Sequence, residues 1–185
     1  MDVGCHVLDR LDYLCGPLIT IKGKAENRHS PGQLVEDYIQ LTGKIGPSRS
    51  SSKDMIIREG ADFECTWDFA SPDKQPVDSL IFEGPTGSLR MTGMSPSAPI
   101  EILNSSGKLV KTLEFEMPDH TAQKLIQATT NDLLLARKKS SESKPEQPDF
   151  LSLGDNAIRT QEVLDKVLND YYGGRETGYW SRMKN

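Results

Sequence analysis

The sequence predicts an α+β fold, an open and largely antiparallel sheet with helices packed on one face. Three observations carry that expectation. Apolar residues recur at helical spacing near both ends of the chain, and they alternate with polar ones in the middle. Successive strand-like runs are joined by short turn-forming segments, which leave no room for the helical crossovers that parallel neighbours need. The 185 residues suffice for one domain with a core of its own, so a single domain over 1–185 is expected.

The elements follow in order. From Asp2 to Cys15 the chain reads as an amphipathic helix, with Val3, Val7, Leu11 and Leu14 on one apolar face and Gly16-Pro17 as its stop. Leu18 to Lys24 and Val35 to Thr42 are plausible strands, and Ser48 to Lys53 a polar loop. Ala61, Phe63, Cys65, Trp67 and Phe69 alternate with Asp62, Glu64, Thr66 and Asp68, the cleanest strand pattern in the chain. Ser79 to Glu83 and Ser88 to Thr92 flank Gly84-Pro85-Thr86-Gly87, a hairpin by composition. Ile100 to Leu103 and Leu109 to Glu116 flank Asn104-Ser105-Ser106-Gly107, another hairpin. Helical spacing then returns. Asp119 is a candidate N-cap, and Ala122, Leu125, Ile126, Thr129, Leu133 and Ala136 trace one face. A polar, proline-containing stretch over 140–150 is expected to be a flexible loop. Ser152 and Asp155 resemble a capping box. The last helix follows them, with a stripe of Ala157, Ile158, Gln161, Leu164, Val167, Leu168 and Tyr171 that ends at Gly173-Gly174.

Composition narrows the function. Charged residues are 26% and hydrophobic residues 36%, an ordinary globular balance. A net charge of −5 weighs against nucleic-acid binding, which needs a concentrated basic surface. The longest apolar run, Leu133 to Ala136, is far short of the roughly 18–20 residues that cross a bilayer, so no membrane span is expected. Cys5, Cys15 and Cys65 are odd in number and contain no CxxC pair. With only His6, His29 and His120 as imidazoles, neither a disulfide scaffold nor a metal site is expected. No secretory signal pattern opens the chain, and a cytoplasmic location is the expectation.

One constellation carries chemistry. Asp2, His6, Asp9 and Tyr13 fall within an arc of roughly 60° on the first helix at about 100° per residue. A carboxylate and an imidazole at i and i+4 meet on one face. The acid can orient the ring, and the ring can take or give a proton near neutrality. Such a pair is also an ordinary surface hydrogen bond. Gly4 costs about 1 kcal/mol against Ala inside a helix and leaves room for close approach. Of the rest, Arg137-Lys138-Lys139 fits a helix C-terminus or, less readily, a phosphate site. His29 and His120 read as a solvated and a boundary residue, and Tyr171, Tyr172, Tyr179 and Trp180 as packing aromatics.

The run Asp2 to Gly16, with Asp-x-Gly-x-His-x-x-Asp over Asp2, Gly4, His6 and Asp9, resembles the helix that opens the C-terminal domain of Gfo/Idh/MocA family NAD(P)-dependent oxidoreductases. Leu18 to Asn27, Gly60 to Phe69, the Glu-Gly-x-x-Gly-x-Leu hairpin within Phe82 to Leu89 and the segment Asp155 to Thr160 resemble that domain's later elements in the same order. The resemblance implies the C-terminal catalytic and substrate-binding half of a dehydrogenase acting on a sugar, polyol or similar hydroxy compound. It implies Asp2 and His6 as catalytic residues and Asp9 as a supporting one. NAD or NADP would be held by a separate Rossmann domain.

This chain departs from the whole-enzyme pattern. It has no Glu-Lys-Pro lysine (Lys144-Pro145 follows Ser143) and no G-x-G-x-x-G opening a βαβ unit. No cofactor is therefore expected to bind the chain alone, and no residue is assigned to cofactor or metal. Met1, one residue before Asp2, fits an internal methionine of a longer protein, so a partial chain is expected. The resemblance also implies homo-oligomers formed through the sheet face, which leaves a non-catalytic interaction or dimerisation module as the alternative.

Overall fold

The structure is a computed structural model that describes residues 2–29, 35–47, 59–69, 76–138 and 154–173, with Asp2 and 136–138 described for backbone only. The expected loops at Ser48 to Lys53 and 140–150 lie outside the described residues, as do Lys139, Ser152, Gly174, Tyr179 and Trp180. In chain order the elements are α1 (Asp2–Cys15), β1 (Leu18–Glu26), β2 (Tyr38–Ile45), β3 (Asp62–Asp68), β4 (Leu80–Gly84), β5 (Gly87–Met91), β6 (Ile100–Asn104), β7 (Leu109–Leu113), α2 (Gln123–Lys138) and α3 (Gly154–Tyr172). The class is α+β with open antiparallel sheets, as the period changes predict. The described strands divide into two sheets, β1-β2-β3 and β4-β5-β6-β7. The chain correspondingly forms two compact units, one of Met1–Lys74 with Ser152–Asn185 and one of Gln75–Leu151.

In the first unit, α1 ends where Gly16, at φ 112°, donates its N–H to the Asp12 carbonyl. That left-handed turn suits glycine, and Pro17 then releases the chain into β1. Across the antiparallel ladder Ile39 stands opposite Ala25 and Trp67, and Leu41 opposite Gly23 and Cys65, so one face of the sheet is apolar. Helix α3 lies on this face. A Cβ on Gly23 would sit 3.0 Å from Val167 Cγ2, so the glycine is what lets helix and strand approach. The described core is Leu8, Leu11, Cys15, Leu18, Ile39, Leu41, Ile45, Val163, Leu164 and Val167. The opposite face of the sheet is polar. Lys44 pairs with Asp62 at 2.6 Å, Gln40 donates to Glu64 at 2.9 Å, and the Arg28 guanidinium lies 3.1 Å from the Tyr38 ring centroid.

Two stripes fall differently from the sequence pattern. On α1 the buried positions are Gly4, Leu8, Leu11, Asp12 and Cys15, while Val3, Val7 and Leu14 are only half-buried. On α3 they are Thr160, Val163, Leu164 and Val167, while Ile158 faces solvent. The cause is the same in both helices. A buried polar residue, Asp12 or Thr160, has a partner on the other helix, and so occupies a place that hydrophobicity alone gives to an apolar neighbour.

In the second unit, β4 and β5 pair from Leu80 opposite Met91 to Gly84 opposite Gly87, closing on Pro85-Thr86. The β6–β7 turn is tied by Asn104 Oδ1, which accepts from the amides of Ser106 and Lys108, and Gly107 takes φ 76°. The Asp78 carboxylate accepts from the amides of Gly93, Met94 and Ser95, fixing the segment between β5 and β6. The start of α2 is set by His120 rather than by Asp119: its carbonyl accepts from Gln123 N–H and its Nδ1 from Ala122 N–H. Helix α2 forms where the spacing predicts one, yet Leu125, Ile126, Leu133 and Leu134 of it stay exposed.

Candidate functional site

The α1 helix carries the sequence-predicted residues, and its rotation decides what each can do. Leu8, Leu11 and Cys15 sink into the core, so the stripe on the other side of the helix faces outward. His6 and Tyr13 are exposed on that stripe, and Asp9 is half-buried beside it. Asp2 occupies the first residue of α1, one turn before His6, and its side chain lies outside the description. The backbone thus sets Asp2 and His6 at i and i+4 of one continuous helix. Asp9 is brought to α3, where it accepts from the Thr160 hydroxyl at 3.5 Å.

Asp12 is the residue that spacing did not single out. Its carboxylate is only 4% exposed and meets Arg159 from α3 in a bidentate pair, Arg159 Nε donating at 2.8 Å and Nη2 completing the fork. The hydrogen bond to Asp12 raises the guanidinium's proton affinity further above its already high value. One signal was present in the sequence. An acid at position 12 sits among Leu8, Leu11 and Cys15 at core spacing, and an acid there needs a partner. Which partner could not be read, because Arg159 lies 147 residues away along the chain.

A second buried polar pair closes the far end of α3. The Tyr172 hydroxyl donates to Glu36, a carboxylate buried in the segment before β2. Burial, then the hydrogen bond and charge of Glu36, push the Tyr172 phenol well above its ordinary range. Burial likewise pushes the Cys15 thiol up to about 11, and burial with the Glu64 charge pushes Cys65 up to about 12. Burial thus disfavours the thiolate at both, and Cys5, Cys15 and Cys65 are free cysteines.

Among the described residues no group of three or more His, Cys, Asp or Glu is placed to hold a metal ion. Nor does a glycine-rich turn among them feed a helix N-terminus, the arrangement that cradles a dinucleotide's pyrophosphate. Gly84-Pro85-Thr86-Gly87 is a hairpin between two strands. The backbone of Arg137 and Lys138 ends α2, and His29 stands exposed 4.0 Å from Asp68. No helix of the described residues is long and apolar enough to cross a membrane.

No protein-family profile matches the sequence, and no curated protein matches it. Solved structures do match in three dimensions. An oxidoreductase from Sinorhizobium meliloti superposes with a TM-score of 0.62 at 12% identity, over 91% of this chain and 49% of that one. The super-repressor mutant of Gal80p from Saccharomyces cerevisiae gives 0.57 at 12% identity, over 94% and 48%. The WlbA dehydrogenase from Bordetella pertussis, solved in complex with NADH and UDP-GlcNAcA, gives 0.52 at 16% identity, over 95% and 43%. The chain spans just under half the length of each. The likeness is one of fold, shared with proteins described as an oxidoreductase and a dehydrogenase over a part of their chains.

Proposed function

We propose that this chain is the substrate-binding and proton-transferring half of an NAD(P)-dependent oxidoreductase acting on a sugar, polyol or similar hydroxy compound. The observation that carries the proposal is His6, an exposed imidazole on α1, four residues after Asp2, in a fold shared with dehydrogenases. His6 accepts the proton of the substrate hydroxyl as that carbon is oxidised. Asp2 orients the ring and favours its protonated form, and Asp9 supports the stripe from beside α3. In such enzymes the nicotinamide supplies the electron acceptor from a Rossmann domain. On this reading the chain's share is the hydroxyl and its proton. A cytoplasmic setting goes with this reading.

The test uses the chain itself. Titration with UDP-GlcNAcA and with simple polyols should shift the His6 ring resonances in an NMR spectrum, and His6→Ala should lose the heat of sugar binding in a calorimeter. Sugars that bind without touching the His6 signals would sink the assignment. Calorimetry with NADH should register no binding, and saturable micromolar affinity would overturn the division of labour.

A second reading is a non-catalytic association module derived from such an enzyme, two copies pairing through a sheet face. The exposed Leu125, Ile126, Leu133 and Leu134 of α2 add apolar surface that pairing could cover, beside the sheet face. The Gal80p match, whose own description is of a repressor, is in keeping with it. Sedimentation of the purified chain should then give a dimer, and a clean monomer at all concentrations counts against it.

A further inference from the structure

We propose that Asp12 and Arg159 are positioning residues for the His6 chemistry: through their pairing, α3 fixes the rotation of α1 about its own axis, and so the direction in which His6 faces. This rests on the oxidoreductase reading above.

The geometry winds from solvent to core in three-residue steps. His6 is exposed, Asp9 is half-buried against Thr160, and Asp12 is buried against Arg159. Consecutive steps turn by about −60° on a helix of 100° per residue, so the three acids and bases form one shallow spiral. Leu8, Leu11 and Cys15 supply the apolar contact between α1 and its surroundings, but apolar packing is not directional. A bidentate guanidinium–carboxylate fork is directional. Its two parallel hydrogen bonds hold only when the Asp12 carboxylate lies in the plane of Arg159, and that condition fixes the azimuth of His6 on the same rigid helix. The opposite end of α3 is pinned in turn, by Tyr172 on Glu36. A buried ion pair contributes little net stability against apolar residues of similar size, whereas it can select one arrangement over others. That distinction separates positioning from mere support.

The experiment compares the full chain with Asp12→Leu/Arg159→Met, in which both charges are removed together, and with Arg159→Lys, which keeps the charge but not the fork. Amide residual dipolar couplings report helix orientation. In the wild type, the α1 couplings should share the alignment tensor of β1, β2, β3 and α3. The double variant should keep a wild-type unfolding temperature or exceed it, yet its α1 couplings should no longer fit that tensor. Its His6 ring signal, one of only three histidines in the chain, should broaden or split. Arg159→Lys should fall between the two. A double variant whose α1 couplings still fit would overturn the proposal. So would one that melts far below the wild type, because the pair would then be structural support alone. The couplings are read without sugar or cofactor, so failure of the oxidoreductase reading would show in the His6 titration and leave this measurement unchanged.

Discussion

Arg159 and His6 are opposite cases of what one side chain can be asked to do. Arg159→Met leaves the Asp12 carboxylate buried without its counter-charge, which costs about 3–5 kcal/mol in comparable pairs. Urea unfolding followed by tryptophan fluorescence should show a loss of that order, a large share of the roughly 5–15 kcal/mol that holds a domain together. His6→Ala removes an exposed ring and should change stability by no more than about 0.5 kcal/mol in the same assay. A lost sugar response in that variant is then a matter of chemistry and not of folding. The exposed place of His6 on α1 was legible because an imidazole four residues after an acid on a helix is a local pattern. Asp12 was not, because its meaning depends on a guanidinium supplied by the other end of the sequence.

At the scale of elements, the parts that the sequence made plain are those with a local stop signal. Gly16-Pro17 ends α1 after Cys15, and the Asn104 to Gly107 turn joins β6 to β7, each through a backbone conformation or side-chain cap that those residue types favour. The faces of α1 and α3 were less legible, since hydrophobicity cannot see that Thr160 satisfies its hydroxyl at Asp9 while Ile158 is left in water. Two glycines make the contrast between packing and conformation measurable. A Cβ at Gly23 would lie 2.8 Å from the Gln40 carbonyl oxygen and 3.0 Å from Val167 Cγ2, so Gly23→Ala must strain the β1–β2 ladder and crowd α3 at Val167. Overpacking of this kind costs about 1–3 kcal/mol. Gly107 has open space around it, so Gly107→Ala should cost only the left-handed backbone penalty of about 1–2 kcal/mol. Paired chemical-denaturation curves should also separate them by location, with the Gly23 variant loosening α3 and the Gly107 variant only the β6–β7 turn.

For the whole molecule, protons link stability to pH on the alkaline side. Cys15 and Cys65 keep their protons in the folded state to about 11 and about 12, against an ordinary 9.0, and Tyr172 is shifted in the same direction. The unfolded chain therefore releases these protons first. Their contribution is complete below about pH 9 and is lost as pH climbs towards the folded values. The urea midpoint should be flat with respect to these groups near neutrality and fall above pH 9, and Cys15→Ala with Cys65→Ala should flatten that limb. The two compact units add a consequence of their own. Every described apolar side chain that is fully buried belongs to the unit of Met1–Lys74 with Ser152–Asn185. Among its described residues the segment Gln75–Leu151 has hairpin ladders and capped turns but no such centre, and cooperative melting depends on a shared interior. A scanning calorimeter should record two heat-absorption peaks, the earlier from 75–151, and a protease added between them should clip there first; one sharp peak would mean that the two segments melt as one.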